Sequence, residues 1–228
     1  MNKNLLTAVA ASLVASALAG CAAPLFIGGA FAGGVLMATD RRTSGAQIED
    51  EGIELRAASR VREALVERAH VNINSYNRQV LLTGEVPTEQ DKAAVEQIAN
   101  KVENVKSVVN ELAVLGNSTL TARSSDSLVT SRVKAALVDD KELYANAFKI
   151  VTERGTVYMM GRVSKREADL ATTVVRGQSG VQKVVRLLEI ISDEELKRLL
   201  PAPAPVQEMT STPVMTGSGT PLTTSSPK

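Results

Sequence analysis

Two stretches decide the fold. Residues 80–88 read Val80-Leu81-Leu82-Thr83-Gly84-Glu85-Val86-Pro87-Thr88, and residues 157–165 read Val157-Tyr158-Met159-Met160-Gly161-Arg162-Val163-Ser164-Lys165. In each, apolar residues alternate through a glycine to a valine, the period-two pattern of a strand. A capping residue and a helix-period apolar series follow, Ala94, Val95, Ile98, Ala99 and Val102 in the first case. Val80, Gly84, Val86 and Ala94 recur as Val157, Gly161, Val163 and Ala171, an offset of 77. The chain therefore contains one unit twice.

Working outward, Val105, Val108, Val109 and Leu112 recur as Val181, Val184, Val185 and Leu188, an offset of 76. Upstream, Arg60-Val61 and Ala64-Leu65-Val66 pair with Arg132-Val133 and Ala136-Leu137-Val138, an offset of 72 that implies a five-residue insertion near Asp139–Ala147. Each copy reads as helix, hairpin, helix, strand. The hairpins turn at Asn77-Arg78 and Arg154-Gly155, and Ser164-x-x-Glu167 is a capping box. The expected fold class is α+β: two tandem αββαβ units, each a small three-stranded sheet packed on two helices. The first spans 46–116 and the second 124–192. Pro201 to Lys228 holds six Pro, ten Ser/Thr and two charges, so residues 200–228 read as a disordered tail.

The N-terminus is an address. Lys3 and the apolar run Leu5–Ala19 form a signal peptide over residues 1–20, ending Leu18-Ala19-Gly20-Cys21, which resembles a bacterial lipobox. Cys21 is the one cysteine in the chain, and its thiol would carry diacylglycerol, with an N-acyl chain on the amine freed by cleavage. Such multiple acylation anchors stably. By resemblance to enterobacterial lipoproteins, Ala22 rather than Asp after the cysteine implies sorting to the outer membrane, facing the periplasm. Residues 21–45, with paired glycines at 28–29 and 33–34, read as a lipidated, flexible spacer.

Each copy resembles a BON domain (bacterial OsmY and nodulation domain). The resemblance rests on the strand glycines Gly84 and Gly161, the capped helix after each, and the ending Gly180-Val181-x-x-Val184-Val185. The first copy departs from the ending with Asn104, a residue that also tolerates left-handed backbone. The resemblance implies phospholipid membrane association. Together with the lipobox it implies support of envelope integrity, including at division sites.

Composition excludes several functions. The net charge is +1, with six aromatic residues and no tryptophan, which argues against nucleic acid as a partner. One Cys and one His leave a Cys/His zinc set and a Cys/His nucleophile pair short of residues. No Gly-x-Ser-x-Gly elbow or phosphate loop occurs, so neither an enzyme nor a cofactor is expected. His70 reads as a junction residue, and the acidic run Asp139, Asp140 and Glu142 as a solvated loop.

The near-neutral total hides an asymmetry. Residues 46–115 carry eight Lys/Arg against twelve Asp/Glu, and residues 120–192 carry twelve against eight. Docking of one copy on the other accounts for this in one reading. In the other, the basic copy meets anionic phospholipid. The contact set for that reading is Leu128, Arg132, Lys134, Ala135 and Val138 on the first helix of the second copy, where apolar groups off the core stripe are framed by cations. Arg162, Lys165 and Arg166 at the strand-to-helix turn are further candidates. Envelope protein partners of the acidic copy are the alternative.

Overall fold

The structure, a computed structural model, describes residues 40–65 and 69–199; the leader, Cys21 and the tail lie outside these residues. In the first copy, α1 (Ser44–Leu65) leads into the hairpin β1 (His70–Tyr76) and β2 (Gln79–Val86), then α2 (Glu89–Asn100), β3 (Ser107–Asn110) and β4 (Ala113–Val114). The second copy follows with α3 (Leu120–Asp139), a short 3₁₀ turn, β5 (Phe148–Glu153), β6 (Thr156–Val163), α4 (Lys165–Arg176) and β7 (Lys183–Ile190). A further helix, α5 (Asp193–Leu199), has no counterpart in the first copy.

The local chemistry explains these elements. Both hairpins close in two residues, with φ of 49° and 68° at Asn77 and Arg78, and 48° and 68° at Arg154 and Gly155. That is the turn whose twist matches paired strands. Thr88 Oγ1 accepts from the Asp91 N–H, and both halves of the Ser164/Glu167 capping box are made. Asn104 and Gly180 take φ of 68° and 93° where each second helix ends, so asparagine does the work of glycine in the first copy. The strand glycines have a steric reason: a Cβ at Gly84 would collide with the His70 carbonyl, and one at Gly161 with the Ala147 carbonyl.

Two expectations are corrected. The last strand of the first copy is not continuous, because the Asn110 side chain accepts the Leu112 N–H at 3.2 Å. β3 and β4 nonetheless keep one register along β2, with Leu82 opposite Asn110 and Glu85 opposite Ala113. The 72-residue offset of the first helices is also one turn out. Asp50 accepts the N–H groups of Asn77 and Arg78, and Asp126 those of Arg154 and Gly155. Arg56 reaches the Glu103 carbonyl as Arg132 reaches that of Ser179. The true offset is 76, and the five-residue insertion shrinks to about one residue. A four-residue slip keeps a helix's apolar face aligned, so periodicity alone could not detect it.

Each copy has its own core between two helices and one sheet face. Ile53, Ala57 and Val61 of α1 meet Val80, Leu82 and Val86 of β2 and Val95 and Ala99 of α2. Val129, Val133 and Leu137 of α3 meet Val157, Met159, Ala168, Ala171 and Val175. The other sheet faces meet each other. Tyr76, Leu81, Tyr158 and Met160 are buried there, flanked by Val109, Val151, Val185 and Leu187. A unit of about 70 residues buries only ~60% of its surface alone, and this seam adds the burial that each lacks. Lys149 Nζ reaches Glu54 Oε1 at 2.5 Å and Arg154 reaches Glu85 at 3.5 Å across it. Part of the opposite charge of the copies is thus used in docking them.

Candidate membrane-contact face and its strap

α3 has two unlike sides. Val129, Val133 and Leu137 face the core. At 100° per residue, Leu120, Leu128, Ala135 and Val138 fall within about 80° of one another on the outer side, with Arg132 and Lys134 on its two borders. Leu120 is 79% exposed, Leu128 58% and Val138 69%; Arg132, Lys134 and Ala135 are exposed as well. The sequence reading had omitted Leu120, which lies eight residues before Leu128 and so on the same face.

The serines between these residues make the face less polar than its composition suggests. Ser124, Ser127 and Ser131 each donate to the carbonyl four residues earlier, at 2.9–3.0 Å, so their hydroxyls turn back onto the helix. Asp126, the one carboxylate of α3 before Asp139, is occupied by the β5–β6 turn. Among the described residues Lys134 has no ion-pair partner. Arg132 is partly engaged, donating to the Ser179 carbonyl at 3.4 Å. At the 76-residue offset the first copy has Ser44, Gly52, Ala58 and Arg62 where the second has Leu120, Leu128, Lys134 and Val138. The set of Leu120, Leu128, Lys134 and Val138 belongs to the second copy alone.

The three residues at the β6–α4 turn are placed differently. Arg162 is bound by Glu189 at 3.1 Å and Glu195 at 2.6 Å. Lys165 pairs with Asp169 at 3.0 Å and Arg166 with Glu142. Lys165 and Arg166 remain 83% and 80% exposed, and surface pairs of this kind are worth ~0–1 kcal/mol. They are off the α3 face.

What ties these regions together is a segment read from sequence as spacer. Arg41 is 3% exposed. Its guanidinium forks onto both oxygens of Glu167, at 2.5 and 2.8 Å, and donates to the Arg162 carbonyl at 2.9 Å. Burial alone would raise the Glu167 pKa; the Arg41 fork and the Ser164 N–H outweigh it and hold the carboxyl below its ordinary range. Arg42 turns the other way, to Asp40 and Asp50 at 2.8 Å, with its guanidinium carbon 4.4 Å from the Tyr76 ring centroid. Burial raises the Asp50 pKa, yet donors from Ser75, Arg78, Arg42 and Asn77 bring it below the usual value. This strap crosses from α1 onto the second copy. Asp40 and Arg42 line a groove of about 500 Å³ together with Lys134, Val138 and Lys149, so the strap lies beside the C-terminal half of α3. Sequence offered no sign of it beyond two adjacent arginines. No helix among the described residues is long and apolar enough to cross a membrane.

A duplicated αββαβ unit with glycine-bearing central strands is the architecture of a BON protein, and the BON domain model matches residues 50–116 and 125–192. The chain belongs to the BON-domain family. It is similar to the outer membrane lipoprotein DolP of Haemophilus influenzae, 36% identical over 176 residues, covering 76% of this chain and 90% of that one. It is also similar to a 21 kDa hemolysin of Actinobacillus pleuropneumoniae, 32% identical over 67% of this chain and 79% of that one. The osmotically-inducible protein Y of Escherichia coli (strain K12) is 26% identical over 55% of this chain and 67% of that one.

Proposed function

We propose that this is a non-enzymatic outer-membrane lipoprotein, anchored through acylated Cys21 and facing the periplasm, whose second BON domain binds anionic phospholipid in support of envelope integrity. The observation that carries the reading is the outer face of α3, where Leu120, Leu128 and Val138 are exposed beside Ala135 and bordered by Arg132 and Lys134, and where Asp139 at the helix end is the one carboxylate. Burying one Leu or Val side chain is worth roughly 1.5–3 kcal/mol, and a cation near an anionic surface about 1 kcal/mol. Such a face binds weakly alone and effectively once an acyl anchor holds it at the bilayer. The strap supports this geometry, since its Asp40 and Arg42 line one groove with Lys134 and Val138 of the same face. The name of the similar Haemophilus influenzae protein, an outer membrane lipoprotein, agrees with the location.

The test uses the chain from Ala22 onward, without acyl groups, on vesicles with and without phosphatidylglycerol. Binding should need the anionic lipid, weaken with salt, and fall at least tenfold in Leu128→Ser/Lys134→Glu/Val138→Ser. Arg132 is left intact because it braces the α4–β7 loop. Equal binding by variant and wild type would remove the α3 face from the model.

A second reading has its own observation. Ile48 and Leu55 of α1, one face and two turns apart, are 71% and 73% exposed on the acidic copy, where the second copy has Ser124 and Ser131. They suit an envelope protein partner. Ile48→Ser/Leu55→Ser should abolish capture of such a partner while vesicle binding is unchanged.

A further inference from the structure

Four carboxylates are buried among the described residues: Asp50, Glu85, Glu153 and Glu167. Three of them face a guanidinium, Asp50 that of Arg42, Glu85 that of Arg154 and Glu167 that of Arg41. Glu153, 4% exposed, receives its hydrogen bond from the neutral amide of Asn72 at 2.9 Å. A buried carboxylate without a countercharge is costly and takes up a proton or a cation. Burial pushes the Glu153 carboxyl above its ordinary range; the Asn72 amide and the nearby His70 ring work against this, and the Glu85 and Asp126 charges add to it.

The cation's other ligands are in place. His70 and Glu85 come from the first copy and Glu153 from the second, and their ligating atoms all lie within 4.8 Å of one another. His70 Nδ1 and Glu85 Oε2 are 3.0 Å apart. Bonds of ~2.0–2.2 Å to zinc set neighbouring ligand atoms roughly 3.3 Å apart, so the set needs only side-chain adjustment to close. A cleft of about 240 Å³, lined by His70, Asn72, Asp126, Thr130 and Glu153 among others, opens onto it. It gives a metal its entry path and room for water as a fourth ligand. Imidazole with carboxylates suits zinc or a similar first-row ion better than magnesium or calcium.

We propose that His70, Glu85 and Glu153 form a divalent transition-metal site that bridges the two BON domains. The ion replaces the proton shared by His70 and Glu85 and neutralises Glu153, while Arg154 keeps its hold on the other Glu85 oxygen. Nothing in this depends on the lipid reading.

The probe is Zn²⁺, added to the chelator-stripped mature chain in detergent, without a histidine tag. His70 is the one histidine of the chain, so its ring resonances report the site without ambiguity. Calorimetry should find one Zn²⁺ per chain with proton release, and the His70 ring signals should shift in step with it. Glu153→Gln, close to isosteric, should weaken binding at least tenfold with the metal-free melting temperature retained. The proposal is overturned if no Zn²⁺ binds. Saturation with unmoved His70 signals overturns it equally, since the metal then sits on surface carboxylates. If Glu153→Gln fails to fold, the wild-type His70 signals decide alone.

Discussion

Removing the Arg41 side chain tests whether the strap is structural. In Arg41→Ala, Glu167 keeps the Ser164 N–H at 2.9 Å but loses both guanidinium bonds. Breaking a buried ion pair by deleting one partner costs ~3–5 kcal/mol. With the Glu167 side chain 10% exposed and one donor retained, the lower end applies, about 3 kcal/mol. A double-mutant cycle of Arg41→Ala and Glu167→Ala, read by urea unfolding followed by far-UV circular dichroism, isolates the pair from the capping-box loss. The coupling energy at pH 7 should be about 2 kcal/mol. The sign of its pH dependence follows from the depressed Glu167 pKa. The contribution is complete above the ordinary value of 4.5 and is lost as pH falls below that toward the folded value. A coupling under about 0.5 kcal/mol, the range of exposed pairs, or one that persists unchanged into acid, would refute the strap as described.

Two further outcomes follow from the packing. Gly84→Ala places a Cβ against the His70 carbonyl at a φ of +110°, where strain alone is ~1–3 kcal/mol. Calorimetry should show a loss of about 3 kcal/mol or more, and a smaller loss for Gly161→Ala, whose backbone is not in the left-handed region; the reverse order would contradict the steric account. Met160→Ala opens the seam and should cost ~2–5 kcal/mol, with faster proteolysis between Leu115 and Thr119. Unchanged cleavage would show that the seam does not couple the copies.

How much of this was legible depends on the range of the interaction. The duplication, the turns, the caps and the exposed face of α3 are local patterns, and the sequence carries them openly. The seam left a signal that alternation counting passes over: Val80-Leu81-Leu82 and Val157-Tyr158-Met159-Met160 are unbroken apolar runs, as expected of strands buried on both faces. α5 likewise begins at Ser192-x-x-Glu195, with Ser192 Oγ accepting the Glu195 N–H, and takes Arg162 out of solution. The strap and the His70, Glu85 and Glu153 cluster left no local trace. Arg41 and Glu167 are 126 positions apart, and no periodicity connects an arginine to a carboxylate at that distance.

The seam also bears on where such a chain comes from. Leu81 and Tyr158 are equivalent positions, as are Val109 and Val185, and all four lie in the same interface cluster. A surface that meets its own counterpart is the arrangement of a two-fold symmetric dimer. Fusing two subunits makes that encounter intramolecular, at an effective concentration on the order of millimolar for a short connection. The pairing then no longer depends on abundance, and each half is free to diverge. One half could acquire Leu120, Leu128 and Val138 on its outer surface while the other acquired Ile48 and Leu55.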